Sequence, residues 1–214
     1  MNHLRKYRKR GSLITESKFE NKNIINVDIQ PEYEDYIKDE FDLYKWTKFI
    51  NKSSKLNNII FLYNGHDTLG LSTEEEYKSW LFDLGIKQNV IYEATFYDKG
   101  YAFFRYCMDE GIADEAIVDL VKYMISHNIT DSRDIDEEMW DNYMEETNHS
   151  MQDVRDLLEN AGDMINIPDL MDFLSRYRYS IVLTGGGINE CLKEVEIALM
   201  ALNRKYDVLA EYTY

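Results

Sequence analysis

The sequence predicts an α/β domain, a three-layer open parallel sheet with helices on both faces and a helical insertion. Two observations predict it. Short β-branched apolar runs, "NIINVDI", "NNIIFLYNG" and "YSIVLTGGG", alternate with longer stretches of helical period. The runs are mostly apolar instead of alternating regularly with polar residues, as strands buried on both faces are.

The elements follow in order. "NIINVDI" (23–29) reads as a buried parallel strand ending in Asp28 and stopped by Pro31. A helix is expected around 39–52, where Phe41, Tyr44, Lys45, Lys48 and Phe49 make a mixed periodic face. "NNIIFLYNG" (57–65) repeats the strand pattern and ends in Asn64 and Gly65. "STEEEYKSWLFDLG" (72–85) opens with a capping box, Ser72 with Glu75, and closes on a glycine, so it reads as a helix. "VIYEATFYDKG" (90–100) is strand-like around 93–98.

The alternation then stops. From about 104 to 165 the pattern is helical and acidic, with candidate helices in "DEAIVDLVKYMISH", "DIDEEMWDNYMEE" and "SMQDVRDLLENAG". Stripes such as Ile117, Val121 and Met124 require these helices to bury one face, as a cap or an interface. "IPDLMDFLSRY" (167–177) is a helix with Pro168 at its start. "YSIVLTGGG" is a strand and turn, and "INECLKEVEIALMALNRK" is an amphipathic helix with Leu192, Val195, Leu199 and Leu202 on one stripe. "YDVLAEY" is the final strand. The organisation expected is a basic N-terminal tail over 1–22 and a single α/β domain over 23–214, with the acidic insertion at about 106–166.

Composition narrows the function. A chain of 214 residues can bury a substantial core. Its apolar runs are too short to span a membrane, and no apolar stretch follows the basic start to make a secretory signal. Two cysteines, Cys107 and Cys191, are too few for a disulfide framework, which fits a reducing, cytoplasmic setting. The net charge is −16, and residues 106–166 carry 17 Asp and Glu against 3 Lys and Arg. Such an acidic body disfavours nucleic acid, since no cation array exists to displace counterions. The basic residues Arg5, Lys6, Arg8, Lys9 and Arg10 read first as a solvated tail. The acidic face repels an identical patch and leaves a basic partner as the expectation, the basic N-terminus of this chain or of a neighbouring subunit in a homo-oligomer being one candidate.

In open parallel sheets ligands bind at the carboxyl ends of the strands. That directs attention to Asp28, to Asn64–Asp67, to Asp98 and Lys99, and to "GGGINEC" (185–191). A glycine-rich turn into a helix can cradle an anion, but this one lacks both the G-x-G-x-x-G pattern and the Lys-Ser/Thr of a P-loop. Cys191 is more specific. A cysteine in the first helical turn feels the positive end of the helix dipole, which favours the nucleophilic thiolate. A lone cysteine is more often a small apolar packing residue. Asp28 and Lys99, from neighbouring strand ends, would add a proton acceptor and a cation.

These segments resemble the isochorismatase-like cysteine hydrolases, which include nicotinamidases. "INVDIQPEYE" looks like the family's first strand, with Asp28, Gln30 and Tyr33 in the matching positions. "FYDKGYAFF" looks like the lysine segment, giving Lys99, and "VLTGGGINECLKEVEIALMALNRKYDVLAEY" looks like the strand, turn, cysteine, helix and last strand. The resemblance covers roughly 23–104 and 167–213. It implies a Rossmann-like topology, a catalytic triad of Asp28, Lys99 and Cys191, and a small amide or related C–N bond as the substrate. Backbone N–H groups of Gly187, Ile188 and Asn189 would then hold the oxyanion, with Gln30 and His66 in the pocket.

The chain departs from that pattern in three ways. An acidic, helical stretch of about sixty residues stands where the family has a short loop. Asn64 takes the position of a metal-binding Asp, with only His66 in place, so neither a metal nor another cofactor is expected. The last strand is not followed by a closing helix. Asp131, Asp134 and Asp136 crowd together without EF-hand spacing and read as a solvated helix start. Two other readings stand beside the hydrolase. One is a non-catalytic member of the fold that assembles or interacts through the helical insertion. The other is a nucleotide or phosphate binder using the glycine turn.

Overall fold

The computed structural model describes residues 20–35, 37, 41–63, 73–96, 112–129, 134–147, 150, 167–177 and 180–214, with the strand at 11–13. Six parallel strands form one sheet: β1 (Gly11–Leu13), β2 (Asn23–Val27), β3 (Asn58–Tyr63), β4 (Ile91–Phe96), β5 (Ile181–Gly185) and β6 (Tyr206–Val208). Their order is β1-β6-β5-β2-β3-β4. The described helices are α1 (Leu43–Ser53), α2 (Glu74–Asp83), α3 (Asp114–Ser126), α4 (Glu137–Thr147), α5 (Ile167–Arg176) and α6 (Cys191–Ala201). The α/β class with an all-parallel sheet is therefore as the sequence predicts. Among the described residues no helix is long and apolar enough to cross a membrane.

The chain divides into two compact units. The first holds the sheet with α1 and α2 and the start of α6; the second takes α3, α4, α5 as far as Ser175, and Glu194–Arg204. The sequence predicts one domain with an insertion at about 106–166. Part of α6 belongs with the second unit, which no composition shift announces.

In the first unit, one sheet face carries Ile24, Ile59, Phe61, Tyr63 and Val182 against Trp46, Phe49 and Ile50 of α1 and Tyr77 and Leu81 of α2. Every residue of β2 and β5 is buried, so neither face of the central strands meets water. Each fully buried Ile, Leu or Phe contributes about 1.5–3 kcal/mol of transfer free energy. Asn26 is one of two buried asparagines in β2, with Asn23, and is fully buried. Its Oδ1 accepts from Trp46 Nε1 (3.1 Å) and its Nδ2 donates to the Ile60 carbonyl (3.0 Å), so the amide is used at both ends.

Several boundaries move from the sequence expectation. The capping box is Thr73 with Glu76, not Ser72 with Glu75: Glu76 N–H donates to Thr73 Oγ1 (3.3 Å) and Thr73 N–H donates to Glu76 Oε2 (2.8 Å). "STEEE" offers both pairs at the same spacing, so spacing alone could not choose. Gly85, at φ 92°, closes α2 through a Schellman turn in which Ile86 N–H donates to the Leu81 carbonyl (2.9 Å). In α1 the buried face is Trp46, Thr47, Phe49 and Ile50, whereas Tyr44 is 70% exposed. Residues 11–13, read as part of a tail, pair in parallel with Tyr206–Val208. The last strand ends at Val208 and is followed by a 3-10 turn, Ala210–Tyr212.

The second unit gains its order from tyrosines. Tyr123 donates to the Met139 carbonyl (2.7 Å), and Tyr123 and Tyr143 meet edge to face at 5.3 Å, joining α3 to α4. Ile117, Val121 and Met124 are buried as their stripe predicts. Asn203, at φ 55°, ends α6, with Arg204 N–H donating to the Leu199 carbonyl (2.8 Å). The candidate helix at 150–162 lies, from 151 on, outside the described residues.

Burial, and then the charge of Glu74, push the Tyr63 phenol up to about 12 from 10.0. Burial above all raises Tyr77 well above its ordinary value. Below pH 10 these phenols are protonated whether the chain is folded or not. Above it the unfolded chain releases protons that the folded chain keeps, so stability falls as pH rises toward the folded value. The slope is at most about 1.4 kcal/mol per pH unit per tyrosine. Urea unfolding across this alkaline range should show the decline, and Tyr63→Phe should make it shallower.

Candidate functional site

The sheet order places the switch in chain direction between β2 and β5. From β2 the chain proceeds outward through β3 and β4, then returns to lay β5 on β2's other side and continues outward through β6. A crevice at the carboxyl edge between two such strands is where open α/β sheets bind ligands. Val27 pairs with Gly185, the last residue of each strand, so Asp28 and the turn beginning at Gly186 leave the same edge side by side.

Asp28 is fully buried and takes φ 50°, a left-handed conformation unusual for any residue but Gly, Asn or Asp. Its N–H continues the ladder to the Leu62 carbonyl (2.9 Å). The Asp28 carbonyl accepts from the Tyr214 phenol (3.1 Å), and the next carbonyl, of Ile29, accepts from the Tyr77 phenol (2.9 Å). Gln30 is also buried, and its Nε2 donates to Glu32 Oε2 (3.1 Å) at the start of the Pro31–Tyr33 turn.

The glycines of the turn have distinct duties. Gly185 takes φ 76°, and a Cβ there would stand 2.5 Å from the Val27 carbonyl oxygen and 2.8 Å from Ile29 Cγ1. Gly186 takes φ 56°, with Leu192 N at 3.1 Å from its would-be Cβ. Gly187 has no such backbone demand, and its would-be Cβ meets only the Glu190 side chain, at 3.2 Å. The Gly187 carbonyl accepts from Glu190 N–H (3.0 Å) and Leu192 N–H (3.2 Å), which brings the chain round into α6.

Cys191 is the first residue of α6, as the turn-to-helix reading requires, and is 8% exposed. Asn189 is exposed and Ile188 half-buried. The Ile188 N–H donates to the main-chain oxygen of Tyr214 (2.7 Å), and Tyr214 N–H donates to the Gly186 carbonyl (3.2 Å). A ligand oxyanion would have to displace Tyr214 to use the Ile188 donor. Lys99, Asn64, His66 and Cys107 lie outside the described residues. The structure thus brings together the β2 end with Asp28 and the turn that leads to Cys191. Among the described residues no group of three or more His, Cys, Asp or Glu is arranged to hold a metal.

Tyr214 and Tyr77 escaped the sequence reading. Both act through phenols on main-chain carbonyls, and no sequence pattern encodes such a contact between positions 186 and 48 apart.

Gly185→Ala should destabilise the fold by about 3 kcal/mol or more, since strain at a left-handed residue adds to a clash with backbone that cannot yield. Gly187→Ala should cost less than about 1 kcal/mol, because a flexible side chain can move. Chemical denaturation of the two variants tests the contrast; equal losses would contradict it. No family model, curated protein or solved structure matches the chain.

Proposed function

We propose that the chain is a hydrolase of the isochorismatase-like type, cleaving a small amide or related C–N bond through the Cys191 thiolate. One observation carries the reading. β2 and β5 are neighbours in register, so Asp28 and the turn into Cys191 leave one sheet edge at the switch point. An acid and a thiol so disposed match the order of the isochorismatase-like segments.

In this reading Cys191 Sγ attacks the carbonyl carbon while Asp28 accepts the thiol proton. The C–N bond then breaks, and Asp28 delivers that proton to the departing amine. Water hydrolyses the thioester left on Cys191, releasing the acid and restoring the thiol. Lys99 stabilises the thiolate. Main-chain N–H groups of the 187–191 turn other than those of Ile188 and Glu190, which donate to Tyr214 and Gly187, hold the oxyanion, a contribution of about 3 kcal/mol per donor. The reaction as written consumes only water and draws on no metal or other cofactor.

A second reading is a non-catalytic member of the same fold that binds or assembles. It is favoured by the hydrogen bond from Ile188 N–H to Tyr214, which occupies one donor of that turn.

Iodoacetamide at neutral pH should alkylate Cys191 ahead of Cys107, and Lys99→Ala should slow that reaction about tenfold. A panel of small amides should be turned over by the wild-type chain and not by Cys191→Ala. Equal labelling of the two cysteines, indifferent to Lys99, together with no turnover, would transfer the case to the binding reading.

A further inference from the structure

The left-handed kink at buried Asp28 lies at the carboxyl end of β2, where the sheet order switches, and it costs energy even for Asp, one of the few residues with a Cβ that adopt it. Such a conformation persists only where its surroundings over-determine it, and it is often retained where it directs a functional group. Three main-chain hydrogen bonds hold it: Asp28 N–H to Leu62, the Tyr77 phenol to the Ile29 carbonyl and the Tyr214 phenol to the Asp28 carbonyl.

The two phenols differ in kind. Tyr77 is fully buried and stacks on Tyr63 at 4.2 Å, so it belongs to the core whatever happens at the edge. Tyr214 is only partly buried and meets Phe41 edge to face at 5.9 Å. Its main chain is fastened to the turn that follows β5, at Gly186 and Ile188. The segment reaches that place by following β5 beyond the sheet. Leu209 N–H donates to the Leu183 carbonyl (2.9 Å), and Thr184 Oγ1 donates to the Tyr212 carbonyl (2.9 Å). Tyr214 therefore bridges the strand end that carries Asp28 and the turn that carries Cys191.

We infer that Tyr214 is a positioning residue of the crevice, whose phenol holds Asp28 in its left-handed conformation and so sets how the carboxyl leaves the sheet toward its proton-transfer role. This rests on the hydrolase reading, in which Asp28 accepts the thiol proton. Without the phenol, Asp28 relaxes and the exchange between carboxylate and thiol weakens, while the core beneath stays formed.

The test is the pH dependence of Cys191 alkylation by iodoacetamide, followed by mass spectrometry of the Cys191 peptide. The chains compared are wild type, Asp28→Asn, Tyr214→Phe and Tyr214→Leu, with urea unfolding of each. Asp28→Asn should displace the pH profile. Tyr214→Phe, which keeps the ring and the main-chain bonds, should displace it in the same direction and slow alkylation at neutral pH about fivefold, the loss expected for one hydrogen bond. Tyr214→Leu should do the same, and it decides the matter if the Phe variant fails to fold. A purely structural Tyr214 would lower the urea midpoint and leave the profile where it is. If Asp28→Asn displaces the profile and neither Tyr214 variant does, the positioning role is overturned and the hydrolase reading stands. If Asp28→Asn itself leaves the profile unchanged, both fall.

Discussion

The approach of Gly185 to the Val27 carbonyl is the contact on which the carboxyl edge of the sheet depends. β2 and β5 pair without irregularity up to that position, and there a side chain would have to occupy space 2.5 Å from a carbonyl oxygen. Glycine removes the conflict and also supplies the positive φ that swings the chain away from the sheet. From that swing follow the Gly186 turn, the Gly187 carbonyl that accepts two N–H groups, and the start of α6 at Cys191. A chain that could not pass Val27 so closely would begin α6 elsewhere.

Opposite that turn, the end of β2 is shaped by polar groups acting on the main chain. A kink in a buried strand end exposes carbonyls that must find donors, because an unpaired polar group in the interior costs about 1–3 kcal/mol. Tyr77 and Tyr214 serve successive carbonyls, those of Ile29 and Asp28. The same device appears deeper in the sheet, where Asn26 links Trp46 of α1 to the Ile60 carbonyl of β3. The aromatic abundance of the chain is thus used in part for hydrogen bonds aimed at backbone, with the ring bodies filling the core around Phe61 and Tyr63.

The second unit uses its tyrosines in a similar way, between α3 and α4, beneath a surface of carboxylates. Asp136, Glu137, Glu138, Asp141, Glu145 and Glu146 are all exposed. An identical acidic face would be repelled, which disfavours self-association through this surface.

The parallel α/β class, the strands around 23–29, 57–65 and 181–185, and the helix beginning near Cys191 were legible in the sequence. Apolar runs of strand length and stripes of helical period are local consequences of which faces must be buried. That β2 ends at Asp28 and that the glycine turn leads directly into the helix at Cys191 were legible too, since an apolar run broken by a polar residue or by glycines marks a strand end locally. The capping register at Thr73, the edge strand at Gly11–Leu13 and the early end of β6 were not, because each depends on a partner distant in sequence. The left-handed Asp28 and the bridge by Tyr214 were decided by tertiary structure alone. Burial periodicity is written in neighbouring residues, whereas a phenol meeting a carbonyl 186 positions away exists only once the sheet has set both strands in register.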